Sequence, residues 1–471
     1  MNELLSLTLV ELTETLRAKN ASPVDLMREV FAAVDEKNPL LNAVVAERDR
    51  GVLLDEARAS EARIVAGSAR PLEGIPFGVK DLEDAAGLPT THGSKPYRNN
   101  VAVEDSTEVA RLKAAGAIVF GKTNAPEFGA TAITKNLVYG VTRSPWSLER
   151  TPGGSSGGSS AALSGRVLPL VTASDGGGSI RIPASFVGAF GLKTSFGRVP
   201  TGPHHEWEHG ATVCYGPLTK TVEDGALFLD LVAGYDARDP MSLPNPGLSY
   251  LDAVRRPLDR RLRIAYSPDL GYAVVQSDVA RVVEDAVRVF EKLGHDVRRI
   301  SGGPPDANAE WGILSGFEIG ARVAHLRDEH EADFGRSLVE GWRYFEALTQ
   351  KFWAGLMKKR AGIAEWCADV FADYDLLVTP TVPYDPPPAK GPFPTETEGR
   401  SQITASVATF TIPFNLSWHP AASIRAGLSK AGLPVGLHIV GPHHREDLIL
   451  QAARAFERER PAHPDWPVVK S

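Results

Sequence analysis

The chain has 471 residues, a formal net charge of −7 and 43% hydrophobic residues. An acidic balance without a block of lysine and arginine offers no surface for a polyanion, so we exclude nucleic-acid partners. The two cysteines, Cys214 and Cys367, are too few for a disulfide framework or a cysteine-rich metal site. Such cysteine usage is typical of a reducing compartment, and we expect a cytoplasmic protein.

The amino-terminal segment and the hydropathy pattern predict neither a secretory signal nor a membrane anchor. Acidic residues stand where a signal peptide needs positive charge, and the leucines recur at helical spacing. No apolar run reaches the ~20 residues that a membrane-spanning helix needs. No Pro/Ser-rich or charged linker divides the chain, so we expect a single large α/β domain over residues 1–471.

Helices are expected over most of residues 8–66. Thr8 is a candidate helix cap with Glu11 three residues on, and Ser22-Pro23 opens a second helix. Asn38-Pro39 is expected to end that second helix, because proline cannot continue the backbone hydrogen bonds. Residues 43–46 are strand-like, and a third helix is expected over residues 52–66.

Residues 74–81 read Gly-Ile-Pro-Phe-Gly-Val-Lys-Asp, which predicts an apolar strand ending in Lys80. Lysine is an unusual residue to bury. Lys80 is either a surface residue paired with Asp81 or a buried functional group, and its place on a glycine-flanked apolar strand favours the second. A helix over residues 106–118 and a strand over 117–122 are expected to follow.

The stretch from Gly153 to Pro183 contains two glycine- and serine-rich runs on either side of an apolar segment, residues 166–173. We expect that segment to be a strand, so that both runs bring bare backbone N–H groups and hydroxyls together. Such a place can stabilise a developing oxyanion. A flexible linker is disfavoured because small helix formers follow directly. A phosphate-binding loop would need a lysine after Gly158, and none is present.

A zinc-protease pattern occurs once, as His205, Glu206 and His209. Zinc binding by this pattern needs both histidines on a sustained helix and a third ligand. Pro203 and Gly210 leave little more than one helical turn, so we expect a loop beside the pocket and no metal.

The second half of the chain predicts a strand, a helix and a strand over residues 261–301, and then a long helical region. That region, about residues 305–375, holds four of the eight tryptophans. Aromatic residues on helices usually belong to the core, but their density here favours a substrate funnel. A strand at 375–380 and, over 402–458, a helix, two strands and a terminal helix complete the chain.

Several motifs resemble the signature blocks of the amidase signature family, serine hydrolases that cut amide bonds. The matching segments are residues 74–81, GGSSGGSSAA at 153–162, SDGGGSIRIPASFVGAFGLK at 174–193, 197–200, 216–224, 379–381 and 432–437. The resemblance covers nearly the whole chain, with the core motifs at about 71–230. It implies an α/β fold in which helices cover both faces of a central mixed twisted sheet.

By this resemblance Ser179 is the nucleophile, Ser155 is a bridging serine on a cis peptide, and Lys80 is the base. No histidine in these blocks could activate a serine, so a lysine base is chemically reasonable. It must be neutral to accept a proton, and its pKa must therefore fall below the usual 10.4 or so. No cofactor is implied.

The resemblance also assigns an oxyanion hole and its supporting residues. The implied oxyanion donors are the N–H groups of Gly176, Gly177, Gly178 and Ser179. The supporting residues are Ser156, next to Lys80, and the expected ion pair of Asp175 with Arg181. Family members usually carry threonine or isoleucine where this chain has Gly176, which is expected to leave more room over the hole.

Two other interpretations remain open. Residues 153–157 also match the G-x-S-x-G elbow of an α/β-hydrolase with Ser155 as nucleophile, but that elbow follows a strand, and residues 146–152 are polar. The alternative of another class is the A-type component of a glutamine-dependent amidotransferase.

For the substrate we expect neutral, apolar small molecules. Candidate substrate-binding residues are Trp207, Phe317 and Trp418, because apolar walls with few fixed charges suit aryl or acyl amides. The motif spacing is similar to that of metagenomic urethanases of this family, so carbamates are also expected. The oligomeric state is expected to be a monomer or a homodimer.

Overall fold

The computed structural model describes residues 4–203, 211–345, 349–402, 406–462, 466, 467 and 469. The helices are α1 (Leu9–Arg17), α2 (Pro23–Leu41), α3 (Arg50–Val65), α4 (Thr107–Ala114), α5 (Gly157–Ser164), α6 (Arg181–Val187), α7 (Val222–Val232), α8 (Tyr250–Arg255), α9 (Ser277–Lys292), α10 (Asn308–Val323), α11 (Arg327–His330), α12 (Arg336–Phe345), α13 (Gln350–Asp373), α14 (Ile412–Leu416) and α15 (Glu446–Glu459). The strands are β1 (Val44–Glu47), β2 (Pro76–Lys80), β3 (Ile118–Thr123), β4 (Lys135–Asn136), β5 (Gly140–Val141), β6 (Leu170–Val171), β7 (Ser174–Asp175), β8 (Phe190–Lys193), β9 (Cys214–Tyr215), β10 (Leu218–Thr219), β11 (Arg263–Tyr266), β12 (Asp296–Arg299), β13 (Leu376–Pro380), β14 (Glu396–Thr397), β15 (Arg400–Ser401), β16 (Ala421–Leu428) and β17 (Pro434–Val440).

A seven-stranded mixed sheet forms the centre, in the order β10-β8-β16-β17-β13-β11-β12. β11 pairs in parallel with β12 and β13, whereas β16 and β17 form an antiparallel hairpin. Helix α6 packs against β8, β16 and β17, and α9 and α15 also pack against the sheet. The predicted α/β class, with a mixed sheet covered by helices in a single large domain, is confirmed.

A second sheet carries Lys80. It has the order β1-β3-β2-β6, with β2 parallel to β3 and β6. Every residue of β2 is buried, and β3 is buried along its whole length. Lys80 is therefore the last residue of a strand that pairs with a strand on each side. This pairing holds the backbone from which the Lys80 side chain extends.

The amino-terminal elements follow the sequence closely except at one proline. The Thr8–Glu11 capping box, the Ser22 cap and β1 are present as predicted. However, α2 runs through Pro39 to Leu41. Pro39 stands in the last turn, so a distortion caused by its ring and missing N–H affects only the end of the helix. The Asn38 side chain accepts hydrogen bonds from the N–H groups of Ala43 and Val44, at 2.9 Å each, and so terminates the helix beyond the proline.

The predicted strand over residues 166–173 is much shorter than expected. Only Leu170 and Val171 form a strand, as the edge partner of β2. Arg166 adopts a left-handed backbone conformation with φ 53° after α5, and Pro169 has no N–H to donate. Helix α4 also ends earlier than predicted, at Ala114. The strand-helix-strand unit of β11, α9 and β12 and the later elements match the prediction.

No helix in the described parts of the chain is long and apolar enough to span a bilayer.

Candidate active site

Lys80 projects from the end of β2 into a polar cluster. Its side chain is completely buried. Its Nζ donates hydrogen bonds to Ser155 Oγ and Ser174 Oγ, both at 2.9 Å, and to the Ser174 carbonyl at 3.2 Å. Its own N–H donates to Thr172 Oγ1 at 3.0 Å. The sequence-predicted lysine and one of the two predicted serines are thus in direct contact.

Ser155 and Ser156 occupy the turn that precedes α5. The Gly154–Ser155 peptide is cis, as the resemblance implies. The Ser156 N–H donates to the Ser179 carbonyl at 3.3 Å, and its hydroxyl donates to the Ser174 carbonyl at 3.3 Å. Ser155 and Ser179 line the same small cavity of about 40 Å³. Ser156 therefore joins the turn that carries Ser155 to the loop that carries Ser179.

A buried ion pair shapes the glycine loop that follows β7. Asp175 and Arg181 form two hydrogen bonds of 2.9 Å with both side chains fully buried, which is the predicted pair. Burial acts to raise the pKa of the Asp175 carboxyl, but the charge and hydrogen bonds of Arg181 outweigh it and hold that pKa well below its usual range. Asn415 Nδ2 also donates to this carboxylate at 2.9 Å. The carboxylate is thus ionised and fully paired.

The structure departs from the sequence prediction at Gly178. The Gly178 N–H donates to Asp175 Oδ1 at 2.8 Å. An amide has a single proton, so this group is already engaged with the carboxylate rather than directed at a substrate. Within the described residues, the N–H groups of Gly176, Gly177 and Ser179 have no such acceptor.

Two contacts orient the N–H groups of Gly177 and Ser179. The indole N–H of Trp311 donates to the Gly176 carbonyl at 3.0 Å, and the Ile182 N–H donates to the Gly178 carbonyl at 2.7 Å. In a planar trans peptide the N–H points opposite to the C=O. Holding these two carbonyls therefore directs the N–H groups of Gly177 and Ser179 away from Trp311 and α6.

Trp311, which the sequence does not single out, also explains the glycine at position 177. A Cβ atom at Gly177 would overlap an indole carbon of Trp311. A side chain there would displace the indole. The space expected above Gly176 is partly taken, because a Cβ there would meet Val213 Cγ2 at 3.2 Å.

A cavity of about 380 Å³ opens at Ser179. Its described lining is mostly apolar or small and includes no charged side chain: Gly129, Ala130, Thr131, Ala132, Gly154, Gly177, Ser179, Ile182, Trp311, Tyr384, Phe393, Pro394, Thr395, Gln402, Ser406, Val407 and Ala408. Such a lining suits an uncharged group.

Phe317 and Trp418, expected to bind substrate, are not among the described residues that line this cavity. Phe317 is 46% exposed on α10. Trp418 stacks on Phe196 at 5.1 Å, and its indole N–H donates to the Ala211 carbonyl at 2.6 Å. Their rings are turned to other partners or to solvent.

Trp207 and the zinc-protease pattern of His205, Glu206 and His209 lie outside the described residues.

A family model described as Amidase matches residues 25–450. The chain belongs to the amidase signature family, a family of amide-bond hydrolases. It is 35% identical over 466 residues to an acylamidase of Rhodococcus erythropolis, covering 97% of this chain and 96% of the relative. It is 33% identical over 497 residues to the A component of the glutamyl-tRNA(Gln) amidotransferase of Geobacter sp. (strain M21), covering 98% and 99%. The crystal structure of a bacterial aryl acylamidase of this family superimposes with a TM-score of 0.91 at 28% identity, covering 99% of each chain.

Proposed function

We propose that this protein hydrolyses aryl and acyl amides of neutral, apolar small molecules, and carbamates as well, through Ser179, Ser155 and Lys80. The observation that carries the proposal is the uncharged cavity of about 380 Å³ at Ser179. The similarity to an acylamidase and to an aryl acylamidase supports the same substrate class.

In the proposed reaction Ser179 Oγ attacks the amide carbonyl and gives its proton to Ser155. Ser155 in turn gives its own proton to neutral Lys80, whose Nζ lies 2.9 Å from Ser155 Oγ. When the C–N bond breaks, Ser155 protonates the leaving nitrogen and recovers a proton from Lys80. Water then hydrolyses the acyl-enzyme by the same path in reverse.

The N–H groups of Gly177 and Ser179 would stabilise the oxyanion. Loss of one such donor typically raises the barrier by about 3 to 4 kcal/mol. A carbamate carbonyl develops the same negative charge on its oxygen, so the same donors would serve both substrate classes.

The similarity to the A component of an amidotransferase favours a second candidate, in which glutamine is the substrate. The α-amino and α-carboxylate groups of glutamine carry opposite charges, which a binding site usually pairs. The described lining of the larger cavity offers no charged side chain for them, and the small cavity shared by Ser155 and Ser179 offers one arginine, Arg322. Arg425 carries a positive charge that could pair with the α-carboxylate of glutamine, but it is buried over the Trp146 ring at 5.8 Å.

A substrate panel tests the proposal. We expect kcat/KM for an acyl anilide and an aryl carbamate to exceed that for glutamine under the same conditions. Ser179→Ala should lower kcat by about 10⁴-fold or more with the fold retained, and it should abolish labelling by a fluorophosphonate. A preference for glutamine above about tenfold, or 1.4 kcal/mol, would favour the amidotransferase component. Inhibition by a chelator, reversed by zinc, would favour the zinc hydrolase.

A further inference from the structure

Two carboxyl groups lie buried behind Lys80, and the proposed reaction does not use them. Glu83 follows β2 in a turn in which its N–H donates to the Lys80 carbonyl at 2.9 Å. Glu108 stands in the first turn of α4. Their exposed fractions are 1% and 0%. A carboxyl group at such depth is costly unless a charge or a proton compensates it.

Neither carboxyl group is satisfied by ordinary hydrogen bonds. Among the described residues, none of the four carboxyl oxygens has a partner at normal hydrogen-bond length and angle. The hydroxyls of Thr172 and Ser174 lie beside the Glu83 carboxyl, and the Glu108 carboxyl lies beside that of Glu83. The cluster is therefore a buried acid pair next to the amine of Lys80.

Burial and the neighbouring charges affect the pKa values of Glu83 and Glu108 differently. Burial raises the pKa of Glu108 well above its usual range, and the neighbouring Glu83 raises it further. Burial also raises the pKa of Glu83, but the charge of Lys80 opposes that rise. Two adjacent buried carboxyl groups do not both ionise. A proton is therefore favoured on Glu108 over Glu83, because the charge of Lys80 is the larger of the Coulombic influences that stabilise the Glu83 anion.

The charged groups around Glu83 come from three elements. Lys80 stands on β2, Glu108 on α4 and Lys122 on β3, where the Lys122 ammonium donates to the Glu83 main-chain carbonyl. Burial lowers the pKa of Lys122, although the nearby acids Asp81, Asp84 and Glu83 oppose this. Glu83 thus interacts with both cations, and of the two the charge of Lys80 has the larger influence on the pKa of Glu83.

Ser174 connects the two groups. Its hydroxyl lies 2.9 Å from Lys80 Nζ and beside the Glu83 carboxyl. We propose that Glu83 is the counter-ion that stabilises the ammonium form of Lys80 across the Ser174 hydroxyl, with protonated Glu108 as its neutral partner. Glu83 is thus a positioning residue that sets the basicity of Lys80, much as an aspartate does for the histidine of a serine protease. This inference rests on the proposed role of Lys80 as the base.

The consequence for catalysis has two parts of opposite sign. An anion beside Lys80 makes it a stronger proton acceptor when Ser155 passes on its proton. The same anion keeps Lys80 protonated to a higher pH, so the neutral, active amine appears later as the pH rises. Removing the charge of Glu83 should therefore shift the acidic limb of the pH–activity profile to lower pH. It should also lower the activity on the plateau at higher pH.

The test compares Glu83→Gln, Glu83→Asp and Glu108→Gln in the full-length protein. The readouts are the pH profiles of kcat/KM for an acyl anilide and of the rate of fluorophosphonate labelling at Ser179. We expect Glu83→Gln to move the acidic limb by about one pH unit towards acid and to lower the plateau about threefold to tenfold. Glu83→Asp keeps the charge and should leave the limb near its wild-type position.

Glu108→Gln is the matched control. It replaces a protonated acid by a neutral amide of the same shape, so the limb should stay in place. An unmoved limb in Glu83→Gln, or an equal shift in Glu108→Gln, would overturn the inference while leaving the amidase proposal intact. A wild-type protein that is neither labelled at Ser179 nor active on the amide would instead overturn the proposed function. Both glutamine variants remove a buried ionisable group, so retention of the fold is expected and is checked by thermal unfolding.

Discussion

The contact between Trp311 and Gly177 links α10 to the loop that carries Ser179, the proposed nucleophile. The indole N–H holds the Gly176 carbonyl at 3.0 Å, and the ring occupies the space that a side chain at position 177 would need. A donor aimed in advance at a developing charge needs no reorganisation during the reaction. The orientation of the Gly177 N–H therefore depends on a residue that need not touch the substrate carbonyl.

We expect Trp311→Phe to lower kcat for an acyl anilide about threefold to tenfold with little change in KM. The phenyl ring still fills most of the space, but the Gly176 carbonyl loses its donor. The free energy of unfolding should fall by about 1 kcal/mol. Steady-state kinetics and denaturant unfolding measure both effects.

Trp342→Phe is the control for this substitution. Trp342 is buried on α12, packed against Phe334, and is not among the described residues that line the cavity. The substitution Trp342→Phe should therefore leave kcat unchanged. An equal loss of kcat in both variants would contradict the proposed role of Trp311.

The residues of the motifs could be predicted from the sequence, whereas their neighbours could not. Lys80 and Ser155 stand in short blocks whose order along the chain is informative, and they lie in contact. The choice between Trp311 and Phe317 depends on the rotation of α10. Six residues turn a helix by about 600°, so these two side chains point about 120° apart. No local pattern indicates which of them faces the cavity.

The amino-terminal helix α1 shows how a local signal and a distant contact combine in one element. Its capping box satisfies the N–H groups of Thr8 and Glu11, at 2.9 and 3.1 Å. The Val10 N–H donates to the buried carboxylate of Asp224 on α7 at 3.0 Å. The capping box is visible in the sequence, but the Asp224 contact, 214 residues away, is not.

Thr8→Ala should lower the free energy of unfolding by about 1 kcal/mol, because the first turn of α1 loses its side-chain acceptor. Thr8→Ser retains the hydroxyl and should change stability by only a few tenths of a kcal/mol. Denaturant unfolding of the three proteins checks this. A loss in the serine variant as large as in the alanine variant would show that the methyl group, not the cap, matters.

At the scale of the whole molecule, the sequence predicts the α/β class and the order of the strands along the chain. It does not predict which strands belong to which sheet. Alternating apolar segments predict strands without stating which of them pair. Lys80 accordingly lies in the four-stranded sheet, and Arg181 of the nucleophile loop contacts His438 on β17 of the seven-stranded sheet. The assignment of residues 71–230 as a core motif region and of 305–375 as a substrate funnel stays a prediction.

Several buried histidines make the folded protein sensitive to acid. Burial lowers the pKa of His419 to about 3, with the adjacent His443 adding to the effect, and burial lowers the pKa of His438 well below its usual range. In the unfolded chain these rings take up protons near pH 6.5. Below that pH the unfolded state binds more protons than the folded state, so stability falls as the pH falls.

We expect the free energy of unfolding to decrease by about 1.4 kcal/mol per pH unit for each such histidine from about pH 6.5 downwards. For His419 the decrease continues to about pH 3, its folded-state pKa. Denaturant unfolding at successive pH values measures the slope. His419→Gln should reduce the slope by about one proton, and an unchanged slope would contradict the neutral state assigned to this ring.

The contacts that hold Asp175 and Arg181 in place have a consequence for biosynthesis. Lys80, Ser155 and Ser179 have all been translated by residue 179, yet Arg181 is held by the Thr411 carbonyl, Asn415 and His438. A nascent chain that has exposed all three proposed reacting groups still lacks the partners that fix the loop between Asp175 and Arg181. The ribosome-bound polypeptide should therefore remain inert towards amides until its carboxy-terminal hairpin has emerged and docked.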